Sequence, residues 1–113
     1  MDLVVGTEAH RGWSVVSAKG ELDLNSSPVL SDEISRALDG DGPAVAIDLT
    51  DVTFMDSTGL GVLVTSLKRA KLRGGELTLI GANGAPLKVL ALTGMTDGVF
   101  PMVETTGDLT ERP

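Results

Sequence analysis

The chain has 113 residues, 42% hydrophobic and 22% charged, a balance that suits one globular domain with a single core and excludes a disordered segment. Its formal net charge of −7 argues against nucleic acid as a direct partner and favours a basic groove on another protein. It has no cysteine, which removes disulfide and thiol chemistry and fits a reducing compartment.

No apolar run approaches the roughly 20 residues that a membrane-spanning helix needs. The opening segment MDLVVGTEAHRG lacks the basic and long apolar regions of a signal peptide, so a cytoplasmic location is expected. Leu3 to Glu8 and Trp13 to Ala18 read as two strands around Ala9-His10-Arg11-Gly12, a hairpin signal. His10, the only histidine, is expected in that turn and solvated, and Trp13 is expected to cover one face of the hairpin. Gly20 to Asn25 leaves the second strand, and Ser26-Ser27-Pro28 starts a helix with a hydroxyl at the cap and Pro at the first helical position. Leu30, Ile34, Ala37 and Leu38 form its buried face, Asp32 and Glu33 fall in its first turns, and Gly40 stops it. Asp23 reads equally as a turn residue or as part of a recognition surface at a strand end.

Val45, Ile47 and Leu49 alternate as a strand, and the chain is expected to turn through Asp51 to Met55 before Asp56-Ser57-Thr58-Gly59. Leu60, Leu63, Val64 and Leu67 share one helical face, giving a helix to about Arg73. Lys68, Arg69, Lys71 and Arg73 crowd its last turns, where cations complement the helix dipole or form a binding patch. Gly74-Gly75 ends it, Glu76 to Ile80 is a strand, Gly81 to Gly84 a turn, and Pro86 starts a third helix carrying Leu87, Leu90 and Ala91. Strands alternating with helices imply parallel pairs, and the opening hairpin adds an antiparallel one. The expected fold is therefore α/β: one domain over 1–113, a mixed sheet opened by an N-terminal hairpin, with helices packed on it. The tail from about 105 is short, polar and broken by Gly107, with room for one helical turn at most.

The strand-to-helix join carries two adjacent hydroxyls. Asp, Ser and Thr favour helix N-caps because their oxygens accept bonds from the first free backbone N–H groups. The same groups favour anions, so a phosphate on Ser57 would be tolerated there. From residue chemistry alone, Asp56, Ser57 and Thr58 read as a plain cap or as a modification site.

Enzymatic readings lack their parts. A serine hydrolase would use Ser57 as nucleophile, but its Gly-x-Ser-x-Gly turn has Met55 at the first glycine, and the only histidine lies on the first hairpin. Gly59-Leu60-Gly61 opens like a dinucleotide fingerprint, yet Val64 occupies the third glycine position. No Gly-Lys-Ser/Thr phosphate cradle is present, and a single histidine with dispersed carboxylates makes no metal site. No catalysis, metal or cofactor is expected of the chain, and any phosphoryl transfer to Ser57 would be another protein's chemistry.

The run DLTDVTFMDSTGLGVL resembles the signature of STAS domains in bacterial anti-sigma factor antagonists. Gly20-Glu21-Leu22-Asp23 is similar to that family's Gly-x-Leu-Asp, and Gly74-Gly75-Glu76-Leu77 with Leu79-Ile80-Gly81 to its next strand. Pro86 to Gly94, then Val99-Phe100-Pro101, is similar to its third helix and last strand, so the resemblance spans roughly positions 3 to 104. Many members carry a fourth helix, for which the tail is too short. The resemblance implies phosphorylation of Ser57 by an anti-sigma factor serine kinase and removal by a serine phosphatase. It also implies a partner surface of Asp23, Asp56, Ser57, Thr58, Gly59 and Leu60. Gly59 is expected where a partner backbone or a neighbouring strand approaches closely. The family also contains transporter accessory subunits and scaffolds of sensor assemblies, which form the alternative reading.

Overall fold

The computed structural model describes residues 2–112. Its first two strands, β1 (Val4–His10) and β2 (Trp13–Leu22), pair antiparallel. Only Arg11 and Gly12 join them, both at positive φ (52° and 85°), the two-residue turn whose twist suits a hairpin. His10 therefore lies in the ladder opposite Trp13 and not in the turn expected for it. It is half-buried, and its Nε2 is shielded from solvent with no hydrogen-bond partner among the described residues.

β2 runs on to Leu22, past the expected exit at Gly20. It pairs parallel with β3 (Ala44–Met55), and the register shifts between Ser17 and Lys19 and between Gly20 and Glu21. β3 correspondingly does not turn at Asp51. Leu49 and Val52, three residues apart, both belong to the core under the helices, because the irregular register breaks strict alternation. That break is what reads as a turn in the sequence.

Helix α1 (Ser27–Ala37) carries Pro28 in its first turn and buries Leu30 and Ile34. Ser26 stands at its N-cap without capping it: the hydroxyl donates instead to the Glu21 carbonyl at 2.6 Å. Glu33 accepts from the Thr7 hydroxyl at 2.5 Å and pairs with Arg36, so it ties the helix to β1. Helix α2 (Ser57–Leu72) leads to β4 (Glu76–Ile80), and α3 (Gly84–Leu92) to a last strand, β5 (Met102–Val103). In α3 Leu90 is buried, whereas Leu87 and Ala91 are exposed. β5 starts at Met102, after the Val99-Phe100-Pro101 run expected to form it.

The sheet order is β1-β2-β3-β4-β5, with only the β1 pair antiparallel. Val16, Val45, Ile47, Leu49, Leu77 and Leu79 pack with Leu30, Ile34, Leu63, Leu67 and Leu90 of the three helices, which makes the main core. Residues of opposite parity, Trp13, Val15, Ala46 and Ile80, face the other side and gather around Leu109 of the tail. The tail makes a single 3-10 turn (Thr106–Asp108) and is then fastened down. Trp13 Nε1 donates to the Thr110 carbonyl at 2.6 Å, and the Arg112 backbone N–H donates to the Arg11 carbonyl at 2.7 Å. The Arg112 side chain pairs with Glu76 and lies 5.7 Å from the centre of the Trp13 ring system. No described helix is long and apolar enough to cross a membrane.

Leu109 is 3% exposed, so Leu109→Ala should cost about 2 kcal/mol or more, read from urea melts. Trp13 is the sole tryptophan, so its emission should shift to the red in the same variant as the tail loosens.

Candidate functional site

The end of β3 delivers Asp56 to the start of α2 in an extended conformation, φ −110° and ψ −171°, which suits an N-cap. Its Oδ1 accepts from the backbone N–H groups of Thr58 at 2.9 Å and Gly59 at 3.2 Å, and from the Thr58 hydroxyl. The Leu24 backbone N–H adds a minor lowering influence on this carboxyl. The Thr58 hydroxyl bond does most to hold the Asp56 carboxyl below its usual range, against the opposing effect of desolvation. Ser57 is the first residue of the helix and is exposed.

Asp23 lies on the adjoining loop. Its Oδ1 accepts from the Asn25 N–H at 3.0 Å and the Ser26 N–H at 2.9 Å, with the Ser26 hydroxyl oxygen 3.1 Å away. The Ser26 backbone bond is the main reason its carboxyl is held low, while the nearby Asp56 charge pushes the other way. Two further contacts join the loops: the Asp56 N–H donates to the Leu22 carbonyl at 3.3 Å, and Ser27 Oγ lies 3.4 Å from Thr58 Oγ1. Asp23 and the Ser57 turn thus form one acidic surface. Beside it runs a groove of about 340 Å³ lined by Leu24, Pro28, Asp32, Thr58 and Val62 among others.

A family model for the STAS domain matches residues 5–109. The chain belongs to the STAS domain family. A similar relative is the anti-sigma-B factor antagonist of Bacillus subtilis, 35% identical over 97 residues, which cover 86% of this chain and 88% of the relative. An anti-sigma factor antagonist from Mycobacterium paratuberculosis has a similar solved structure, with TM-score 0.83, 32% identity and coverage of 95% and 90% of the two chains. The Bacillus cell fate determinant SpoIIAA, solved in its phosphorylated form, shares the fold at TM-score 0.69 and 23% identity, over 91% of this chain and 92% of its own.

Within this STAS domain, Gly59 lies beneath the surface and not on it. A Cβ there would meet Leu22 Cγ and Met55 Cγ, each at 2.8 Å, so the close approach comes from the ends of β2 and β3. Leu60 is half-buried against the core. Leu24, 70% exposed on the Asp23 loop, and Ser27, buried between the loops, are the residues sequence reasoning missed. An apolar residue between Asp23 and Asn25 was the available signal for Leu24, and a second serine before Pro28 for Ser27. At the other end of α2, Arg69 donates to the Ser35 hydroxyl at 2.7 Å and Arg73 to the Gly40 carbonyl at 3.4 Å, so both tie the helix to α1 and the loop after it.

Other cavities lie away from this surface. One, of about 460 Å³, sits by Thr50, Asn83, Met102 and Glu104 at the C-terminal ends of β4 and β5. Asn83 spends its amide donors on the Thr50 and Gly81 carbonyls. His10 lines another with Glu8, Val15, Asp48 and Thr106, on the sheet face opposite the helices.

Gly59→Leu should destabilise by about 1–3 kcal/mol through overpacking. Gly61→Ala, where a Cβ meets open space, should stabilise by about 0.5–1 kcal/mol. Urea denaturation of the pair reads both signs. Because Asp56 is held low in the fold, its ionised form adds stability above the ordinary carboxylate range. That contribution is lost as pH falls below about 4 and through the folded-state value. The stability gap between wild type and Asp56→Asn should therefore narrow between pH 7 and pH 3; a constant gap would remove charge from the account.

Proposed function

We propose that this STAS domain is an anti-sigma factor antagonist working by phosphorylation-controlled partner switching. Unphosphorylated, it docks the Asp23/Ser57 surface on an anti-sigma factor and frees a sigma factor. The anti-sigma factor is a serine kinase that transfers a phosphoryl group from ATP to Ser57, and a serine phosphatase removes it. The domain acts by binding, without catalysis of its own, in the cytoplasm. One observation carries the reading: an exposed serine hydroxyl opens α2, beside a carboxylate already engaged with the backbone and within a surface that Asp23 extends. The identity to anti-sigma factor antagonists over most of the chain supports it, and the net charge of −7 suits a basic docking face. The transporter-subunit and sensor-scaffold alternative has no comparable support.

Phosphate on Ser57 adds a charge of about −1.5 to −2. The N–H groups of Thr58 and Gly59 are already engaged by Asp56, so the helix dipole offers the phosphate less than a free helix start would. The new charge also faces Asp56 and Asp23. The partner must then accept a dianion where it met a neutral hydroxyl, at a cost of several kcal/mol if the charge is buried unpaired. The effect is local electrostatics at the interface, with no refolding.

Ser57→Ala should abolish phosphorylation by the kinase and ATP, with stability changed by less than about 0.5 kcal/mol, since Asp56 and not Ser57 is the cap. Phosphate mapped by mass spectrometry to Ser26 in the wild-type protein would sink the assignment. In amide spectra, phosphorylation should shift residues around Asp23 and Asp56 to Gly61, and Ser57→Asp should lower partner affinity only in part. Shifts spread through the sheet would indicate a conformational switch instead.

A further inference from the structure

A kinase that reaches Ser57 meets a second hydroxyl one residue further on, at Thr58. We infer that Asp56 is a specificity-determining residue that withholds Thr58 from phosphorylation and so confines the phosphate to Ser57. This rests on Ser57 being the kinase's acceptor. In phosphoryl transfer the acceptor oxygen bonds to the γ-phosphorus of ATP while the bond from that phosphorus to the ADP oxygen breaks, and the hydroxyl proton passes to a base of the kinase. The acceptor must therefore present a lone pair in line with the phosphorus and release its proton outward.

Thr58 meets neither condition. Its hydroxyl proton is directed at Asp56 Oδ1, its side chain is half-buried, and Ser27 Oγ stands 3.4 Å from the hydroxyl oxygen. Asp56 is no mobile neighbour, because the N–H groups of Thr58 and Gly59 anchor its carboxylate. A carboxylate beside a hydroxyl is sometimes a general base, and the same contact would then activate Thr58. The environment here opposes that role: the bonds that anchor Asp56 also hold its carboxyl below the usual range, which makes it a weak base and a strong acceptor. Ser57 is exposed, and its hydroxyl is not drawn to Asp56 in this way.

The test uses the full chain, the anti-sigma factor kinase that modifies the wild-type protein, and ATP, with phosphate located by fragment mass spectrometry. Ser57→Ala should carry essentially no phosphate, and the double variant Ser57→Ala/Asp56→Ala should be modified on Thr58. The expected rise is at least about tenfold in rate, equivalent to ~1.4 kcal/mol. Ser57→Ala/Asp56→Asn keeps an oxygen acceptor in place and should stay unmodified. In Asp56→Ala alone, checked for folding by its melting curve, phosphate should appear on Thr58 as well as on Ser57, and the ratio of the two sites is the readout. Thr58 modified in Ser57→Ala with Asp56 intact would overturn the inference. So would an unmodified double variant, or an Asp56→Ala protein that folds and is phosphorylated on Ser57 alone. A wild-type protein unmodified on Ser57 is a different outcome and removes the acceptor assignment itself.

Discussion

Asp56 joins three parts of the chain through one carboxylate and one backbone N–H. The carboxylate closes the first turn of α2 and accepts the Thr58 hydroxyl, while the Asp56 N–H reaches back to the Leu22 carbonyl. A helix start otherwise leaves its first N–H groups without intrahelical partners, and an N-cap side chain can satisfy them. Here a charged acceptor does so while the Leu22 contact holds the end of β2 against the helix start. The exposed Ser57 is consequently displayed on a rigid corner beside Asp23, and of the two adjacent hydroxyls that of Thr58 is engaged by the carboxylate.

That corner depends in turn on how far two strands run. β2 and β3 stay paired to Leu22 and Met55, so both loops leave the sheet at the same level. Gly59 lets α2 settle directly on those two side chains, where any Cβ would collide. Charge then gathers at a point that packing has already fixed.

The opposite face of the sheet is closed by economical means. Where a helix would bury Trp13, Val15, Ala46 and Ile80, this chain lays down one 3-10 turn and a single leucine. Arg112 clamps the end through Glu76, the Trp13 ring and the Arg11 carbonyl. Hydrophobic area alone would hold so short a segment weakly, and the polar contacts supply direction as well as some energy.

Much of this protein was legible in the residues. Periodicity located three helices, Glu76–Ile80 in full, and the mixed sheet; Asp-Ser-Thr-Gly located the helix start and the family. Local pattern is sufficient there because each of those segments obeys one period throughout. Tertiary pairing decided the rest. β2 and β3 extend through segments that read as exits and turns, since a shifted register breaks alternation without ending the strand. His10 belongs to a ladder because a two-residue turn suffices at Arg11-Gly12. Which of Asp56, Ser57 and Thr58 caps, which is exposed and which is held back depends on the backbone path into α2 and on a loop some thirty residues earlier. No spacing along the chain encodes that, because the deciding neighbours, Leu22, Leu24 and Ser27, meet the helix start only once the sheet has formed.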